Sequence, residues 1–179
     1  MYRPHAFRLT GVSLLTAALG LVPALAARAE HAKITLDVVT SRGQATSFMD
    51  QTPPAVGKNK RPVATAVAGE PVKVQFVFQN TYPHKTLEHV VVHFYIVRAA
   101  KVGQKDLPDL GDDVVAETAF EMDFGPGAKA GQRSTFRINE PGVYLVRVES
   151  RNTQSDHEHF SAIDLVIEPK PAAATTPNP

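Results

Sequence analysis

Of the seven histidines in the chain, His5 stands in the first few residues and His31 stands alone, while the other five fall into two groups that could share chemistry. His84, His89 and His93 lie in or just after a turn that leads into a strongly apolar strand, and His157 and His159 flank Glu158. Neutral imidazole is a good ligand for copper(II) and zinc(II), and a nearby carboxylate can either bind the ion or orient a ring. At about 3.3 Å per strand residue, His157 and His159 have Cα atoms about 6 to 7 Å apart on one side of the chain, from which both rings can reach one ion. His89 and His93 are about 13 Å apart along a straight strand, which leaves His93 outside such a site. The candidate ligand set is therefore His84, His89, His157 and His159, with Asp156 or Glu158 in support. The same residues also read as solvated polar side chains in turns, or as a partner contact whose charge changes near neutral pH.

Other chemistries find little here. The chain has no cysteine, which excludes blue-copper sites, thiolate zinc sites, cysteine nucleophiles and disulfides. Asp106, Asp109, Asp112 and Asp113 lack the alternating spacing and distal glutamate of a calcium loop, so the segment reads as a solvated connection. Gly125-Pro-Gly-Ala-Lys-Ala-Gly131 has no Gly-Lys-Ser/Thr and no following helix, and reads as a turn. No Gly-x-Ser-x-Gly occurs, and Ser134, Ser150 and Ser161 have no signature context. The expectation is a protein without catalytic residues, whose one possible cofactor is a copper or zinc ion.

Strands must position these groups. Ile34, Leu36 and Val38 alternate with Lys33, Thr35 and Asp37, and Val72, Val74, Phe76 and Phe78 alternate with Lys73 and Gln75, which gives two half-buried strands. His89 to Val97 is apolar on both faces and reads as a central strand. Val114 to Phe124, Thr135 to Ile138, Gly142 to Glu149 and Phe160 to Ile167 complete the set, and Ser41 to Pro62, with three prolines, reads as a long loop. No helical periodicity of any length occurs. The expected fold is all-β: a single immunoglobulin-like antiparallel β-sandwich of seven to eight strands, preferred to a barrel because no repeated glycine pattern makes closing corners. In that topology the connection between the second and third strands and the one between the last two emerge at the same end, which would carry His84 and His89 towards His157 and His159. Tyr144, near the start of the penultimate strand, is placed to bond back to the preceding loop and hold a corner.

The ends differ from the middle. Residues 1–29 carry Arg3 and Arg8, an uncharged run from Leu9 to Ala27 and small residues at two cleavage positions, which is the pattern of an export signal; the run is also long enough to anchor as a helix. Cleavage leaves no membrane span and removes Arg3, Arg8 and Arg28, taking the charge from +1 to about −2. That balance argues against nucleic acid as a partner, which calls for an excess of Lys and Arg. Lys58-Asn-Lys-Arg61 is a basic cluster in a loop and reads as a solvated turn. Residues 169–179 are rich in Pro, Ala and Thr and are expected to be a disordered tail, leaving residues 31–168 as one domain.

Ala68-Gly-Glu-Pro-Val72, an apolar strand ending at Asn80, Gly125-Pro-Gly127 with Gly131, and Pro141-Gly-Val-Tyr144 resemble the bacterial extracellular immunoglobulin-like modules of the CARDB, cell-adhesion-related, type. The likeness spans about Pro62 to Arg151. It implies a non-catalytic binding or spacer module outside the cytoplasm. This chain departs from the pattern by standing alone and by carrying Asn80-Thr-Tyr-Pro-His-Lys85 where a small Asn-x-Gly turn is usual. Two functions follow as expectations: a periplasmic or secreted binding or accessory module with a protein or cell-surface partner, or a periplasmic copper- or zinc-binding protein with a histidine site at one end of the sandwich.

Overall fold

The computed structural model describes residues 31–49, 61–108, 110–111, 113–152 and 155–171, with the backbone alone at residues 49 and 155–158. The export signal at 1–29, residues 50–60 with Lys58 and Lys60, Asp109 and Asp112, and most of the expected tail lie outside the described residues. Nine strands run in order: β1 (Ala32–Thr40), β2 (Gly43–Met49), β3 (Val63–Val67), β4 (Pro71–Asn80), β5 (Leu87–Ala99), β6 (Val114–Phe124), β7 (Lys129–Arg137), β8 (Gly142–Asn152) and β9 (Ser155–Glu168). They form two sheets, ordered β2-β1-β4-β7 and β3-β9-β8-β5-β6. The described residues contain no helix, and so none long and apolar enough to cross a membrane.

The alternation read in β1 and β4 is the buried row of the four-stranded sheet: Ile34, Leu36, Val38, Val72, Val74, Phe76 and Phe78 face Val92, Phe94, Ile96, Val146, Val148, Ile163 and Leu165 of the other sheet. β5 is an interior strand, flanked by β8 and the edge strand β6, while β8 holds the middle of the sheet. Its second apolar face is buried as well, with Tyr95 and Val97 packed on Leu145 and Ala162 on the outer side of the sheet. Gly127, with φ of 71°, turns the chain from β6 into β7 in a conformation that costs a glycine little. Gly131 lets β7 approach β4 closely: a Cβ there would lie 2.0 Å from the Phe76 carbonyl oxygen.

The sandwich departs from the expected outline in three places. Part of the Ser41 to Pro62 loop is strand β2, whose inward positions are Ala45 and Ser47, too small to advertise a core face. β3 adds a further strand and lies parallel to β9, the one parallel pairing among the described strands, with Ala64 and Ala66 turned inward. β7 and β9 are longer than Thr135 to Ile138 and Phe160 to Ile167, so the segment containing His157, Glu158 and His159 is strand backbone and not a turn. On one side the two sheets are stitched together, as Ser161 Oγ donates to the Ser47 carbonyl at 3.1 Å.

Candidate functional site

β1 begins, β4 ends, β5 begins, β8 ends and β9 begins at one end of the sandwich. Asn80 organises that end. Its side chain is fully buried, and its Nδ2 donates to the carbonyls of Lys85 (2.7 Å), Phe124 (2.9 Å) and Gly125 (3.0 Å), while its Oδ1 accepts from the Tyr82 amide (2.9 Å). The main chain joins in: Asn80 N donates to the Ala128 carbonyl and Thr81 N to the His31 carbonyl. One buried amide thus ties the β4–β5 connection to the β6–β7 turn, and the backbone beside it holds the chain at His31. A buried carbonyl left unbonded is costly, so this arrangement strongly favours one loop conformation.

That conformation sets the Tyr82 ring on His31, with centroids 5.7 Å apart and planes at 17°. Lys85 Nζ lies 5.6 Å from the Tyr82 ring centre. Across from His31 stands His159, on the inward row of β9 that continues as Ser161, Ile163 and Leu165. The His31 and His159 Nε2 atoms are 2.8 Å apart. Their rings meet edge-on, at 76° and 4.4 Å between centroids. The pair lines a shallow pocket with Ala32, Phe78, Leu87, Val90, Ser150 and Asn152.

The other histidines are disposed differently. His84 is exposed in the β4–β5 connection. His89 sits where β5 slips its register against β6, with a left-handed φ of 53°; its amide donates to Asp123 Oδ1 at 2.8 Å and its Nδ1 lies 3.0 Å from Glu121 Oε1. The Glu121 hydrogen bond, with the charges of Asp123 and Glu121, raises the His89 pKa above its ordinary value. Thus the β4–β5 connection lies at the end where β8 finishes and β9 starts, but the histidine set against His159 is His31, while His89 turns to the carboxylates of β6. Of Asp156, His157 and Glu158 the structure describes the backbone in β9, and their side chains lie outside the described residues. Among the described residues, no three His, Cys, Asp or Glu side chains stand close enough together to hold a metal ion by themselves.

A charged network that the sequence did not announce covers the outer face of the five-stranded sheet. Buried Arg147 Nε donates to Glu149 Oε2 at 2.8 Å, and the Arg147 guanidinium lies 4.0 Å from the Phe160 ring centre. His93 reaches Glu117 at 2.7 Å and faces Glu149 at 3.5 Å. Burial pushes the Glu149 carboxyl up, but the Arg147 hydrogen bond and charge, joined by Arg151 and His93, outweigh it and hold the pKa below its ordinary value. Farther along, Asp164 accepts from Arg61 Nε at 3.1 Å and from the Gly103 amide at 2.9 Å, and Arg61 also donates to the Gln104 carbonyl. The β5–β6 connection is therefore tied to the sheet at Gly103 and Gln104. The parity of β8 was the available signal: Arg147 and Glu149 alternate with buried valines, and only the second layer of contacts made them buried too.

No protein-family model and no curated protein matches the chain. Among solved structures it is similar to a family 123 glycoside hydrolase from Clostridium perfringens, at 10% identity over 64% of this chain and 24% of the hydrolase, with a TM-score of 0.40. A lytic polysaccharide monooxygenase from Streptomyces lividans aligns at 16% identity over 59% of each chain, with a TM-score of 0.34. A β-glucosidase from Listeria innocua aligns at 14% identity over 61% of this chain and 15% of the enzyme, with a TM-score of 0.26. The chain thus spans about a quarter of the length of the first of these. Likenesses this distant bear on neither activity nor ligand.

Proposed function

We propose that the chain is an exported, non-catalytic binding or accessory module that engages its partner through the end of the sandwich built around Asn80. The observation that carries this reading is the gathering of His31, Tyr82 and His159 at that end, where a buried asparagine fixes the loop that sets Tyr82 on His31. Loops held by a rigid sheet frame are the usual place for recognition, and amphipathic rings such as Tyr and His offer contact area together with a polar edge. The residues 1–29 pattern supports export, and the resemblance of residues 62–151 to extracellular immunoglobulin-like modules accords with a binding role.

A photo-crosslinking side chain placed at Tyr82, compared with one at Glu140 on the opposite end, tests the proposal in the envelope of an exporting host. Discrete adducts from position 82 alone are the expected result. Adducts from position 140 alone, or none from 82, would overturn the choice of this end.

A further inference from the structure

The histidine pair has a geometry that suits two chemistries. Two imidazole nitrogens at 2.8 Å can share one proton, or both can turn their lone pairs on one cation. An N–H···N bond with both rings in line would put the ring centres about 5 Å apart. The observed separation is 4.4 Å, with the rings edge-on at 76°. At least one ring is therefore bent away from the line joining the nitrogens, as it is when both nitrogens face one ion. Two imidazoles bound at about 2.0 Å to one ion, at right angles, have nitrogens about 2.8 Å and ring centres about 4.5 Å apart. Tetrahedral binding at the same bond length separates the nitrogens by about 3.3 Å.

We propose that His31 and His159 form a two-imidazole site for a divalent transition-metal ion, with copper(II), which favours right-angled tetragonal ligands, preferred over zinc(II). The inference rests on the reading of this end as the binding end and names its ligand. The surroundings suit an ion that is partly enclosed. His159 is 4% exposed and His31 is half-buried, so one ligand is held from the core side and the other lies nearer to solvent. Beside them is a space of about 10 Å³, close to that of a single water-sized centre. Ala32, Phe78, Leu87 and Val90 wall it with apolar surface, while Ser150 and Asn152 add polar lining. The Tyr82 ring stacked on His31 restricts its rotation. Two protein ligands leave the remaining positions of a tetragonal ion to water or to groups brought by a partner. Such a site would pick up and pass on its ion, or join module and partner through it.

The test uses the full chain made in an export-competent host, stripped with a chelator, dialysed and titrated with copper(II) and separately with zinc(II). The expected result is one copper(II) per chain, with nitrogen hyperfine structure from imidazole in the electron paramagnetic resonance spectrum. His31→Ala should raise the Kd by about tenfold or more and remove one nitrogen coupling, whereas His84→Ala should leave both unchanged. His159 is buried, so His159→Gln is accepted only if its melting curve is cooperative; the half-buried His31 carries the decision otherwise. Copper bound equally by wild type and His31→Ala would place the site elsewhere and overturn the proposal. No uptake of either ion would overturn it too and leave a shared proton between the rings. Uptake of zinc(II) without copper(II) would overturn the right-angled assignment. Crosslinking from position 82 that persists in chelator, alongside absent metal uptake, would sink the metal site while sparing the binding end.

Discussion

The two ends of the sandwich are closed by different means. Around Tyr144 the contacts are long charged side chains at the surface: Arg98 reaches Glu140 at 2.6 Å, Arg42 reaches Glu168 at 2.7 Å, and Arg137 donates to the Gly69 carbonyl at 2.8 Å. These ion pairs are exposed, and such pairs contribute about 0 to 1 kcal/mol each. The Tyr144 hydroxyl, donating to the Glu140 carbonyl at 2.9 Å, forms the corner expected of its position, and burial is the main cause of its raised pKa. Around Asn80 the closure is one buried amide with four partners and a stack of rings. The first end is held by many weak and replaceable contacts. The second is held by few that have no substitute, which is the way to keep a loop in place for recognition.

The largest effect that this contrast predicts is at Asn80. Asn80→Ala removes a donor from the Lys85, Phe124 and Gly125 carbonyls, of which Gly125 keeps the Ala128 amide, and should cost about 2 to 4 kcal/mol, since each buried group left unbonded costs about 1 to 3 kcal/mol. Urea unfolding checks it, and a loss below about 1 kcal/mol would mean that this end is no more demanding than the other. At the opposite end, Tyr144→Phe removes one hydrogen bond to a carbonyl near solvent and should cost about 1 kcal/mol, measured in the same way. A cost equal to that of Asn80→Ala would erase the distinction.

The smallest effect concerns pH. His89 has its folded-state pKa raised by Glu121 and Asp123, so whatever stability the pairing contributes is present below the unfolded value and is lost as pH rises through the folded one. The group is fully exposed, and the sharper readout is the titration itself. In Glu121→Gln the His89 ring resonances followed by NMR should titrate at lower pH than in the wild type. An unchanged midpoint would show that β6 does not hold the ring.

Much of this architecture could be read from alternation. β1, β4, β5, β6 and β8 declare themselves because large apolar residues recur at every second position, and turn residues bound them. β2 and β3 do not, since Ala45, Ser47, Ala64 and Ala66 face inward and carry little hydrophobic contrast. Running the parity of Ser161, Ile163 and Leu165 back one step would have placed His159 on the core face. Reading Phe160 as the start of the strand hid that step. His31 looked isolated because its partner lies 128 residues away.

The sequence by itself determined the all-β class, the interior place of β5, the tyrosine corner and the common end of the β4–β5 connection and the start of β9. The first three follow from period, turn chemistry or a local bond, and the last from the expected immunoglobulin-like topology. Which histidines meet there was decided by the tertiary structure alone. Strand pairing sets the start of β1 beside the end of β4, and a two-layer packing brings β9 across from it, so that His31 and His159 become neighbours while His89, one bulge away, faces the carboxylates of β6. Such contacts depend on which strands pair and pack across the two layers, and the alternation within a strand fixes its buried face without naming its neighbours.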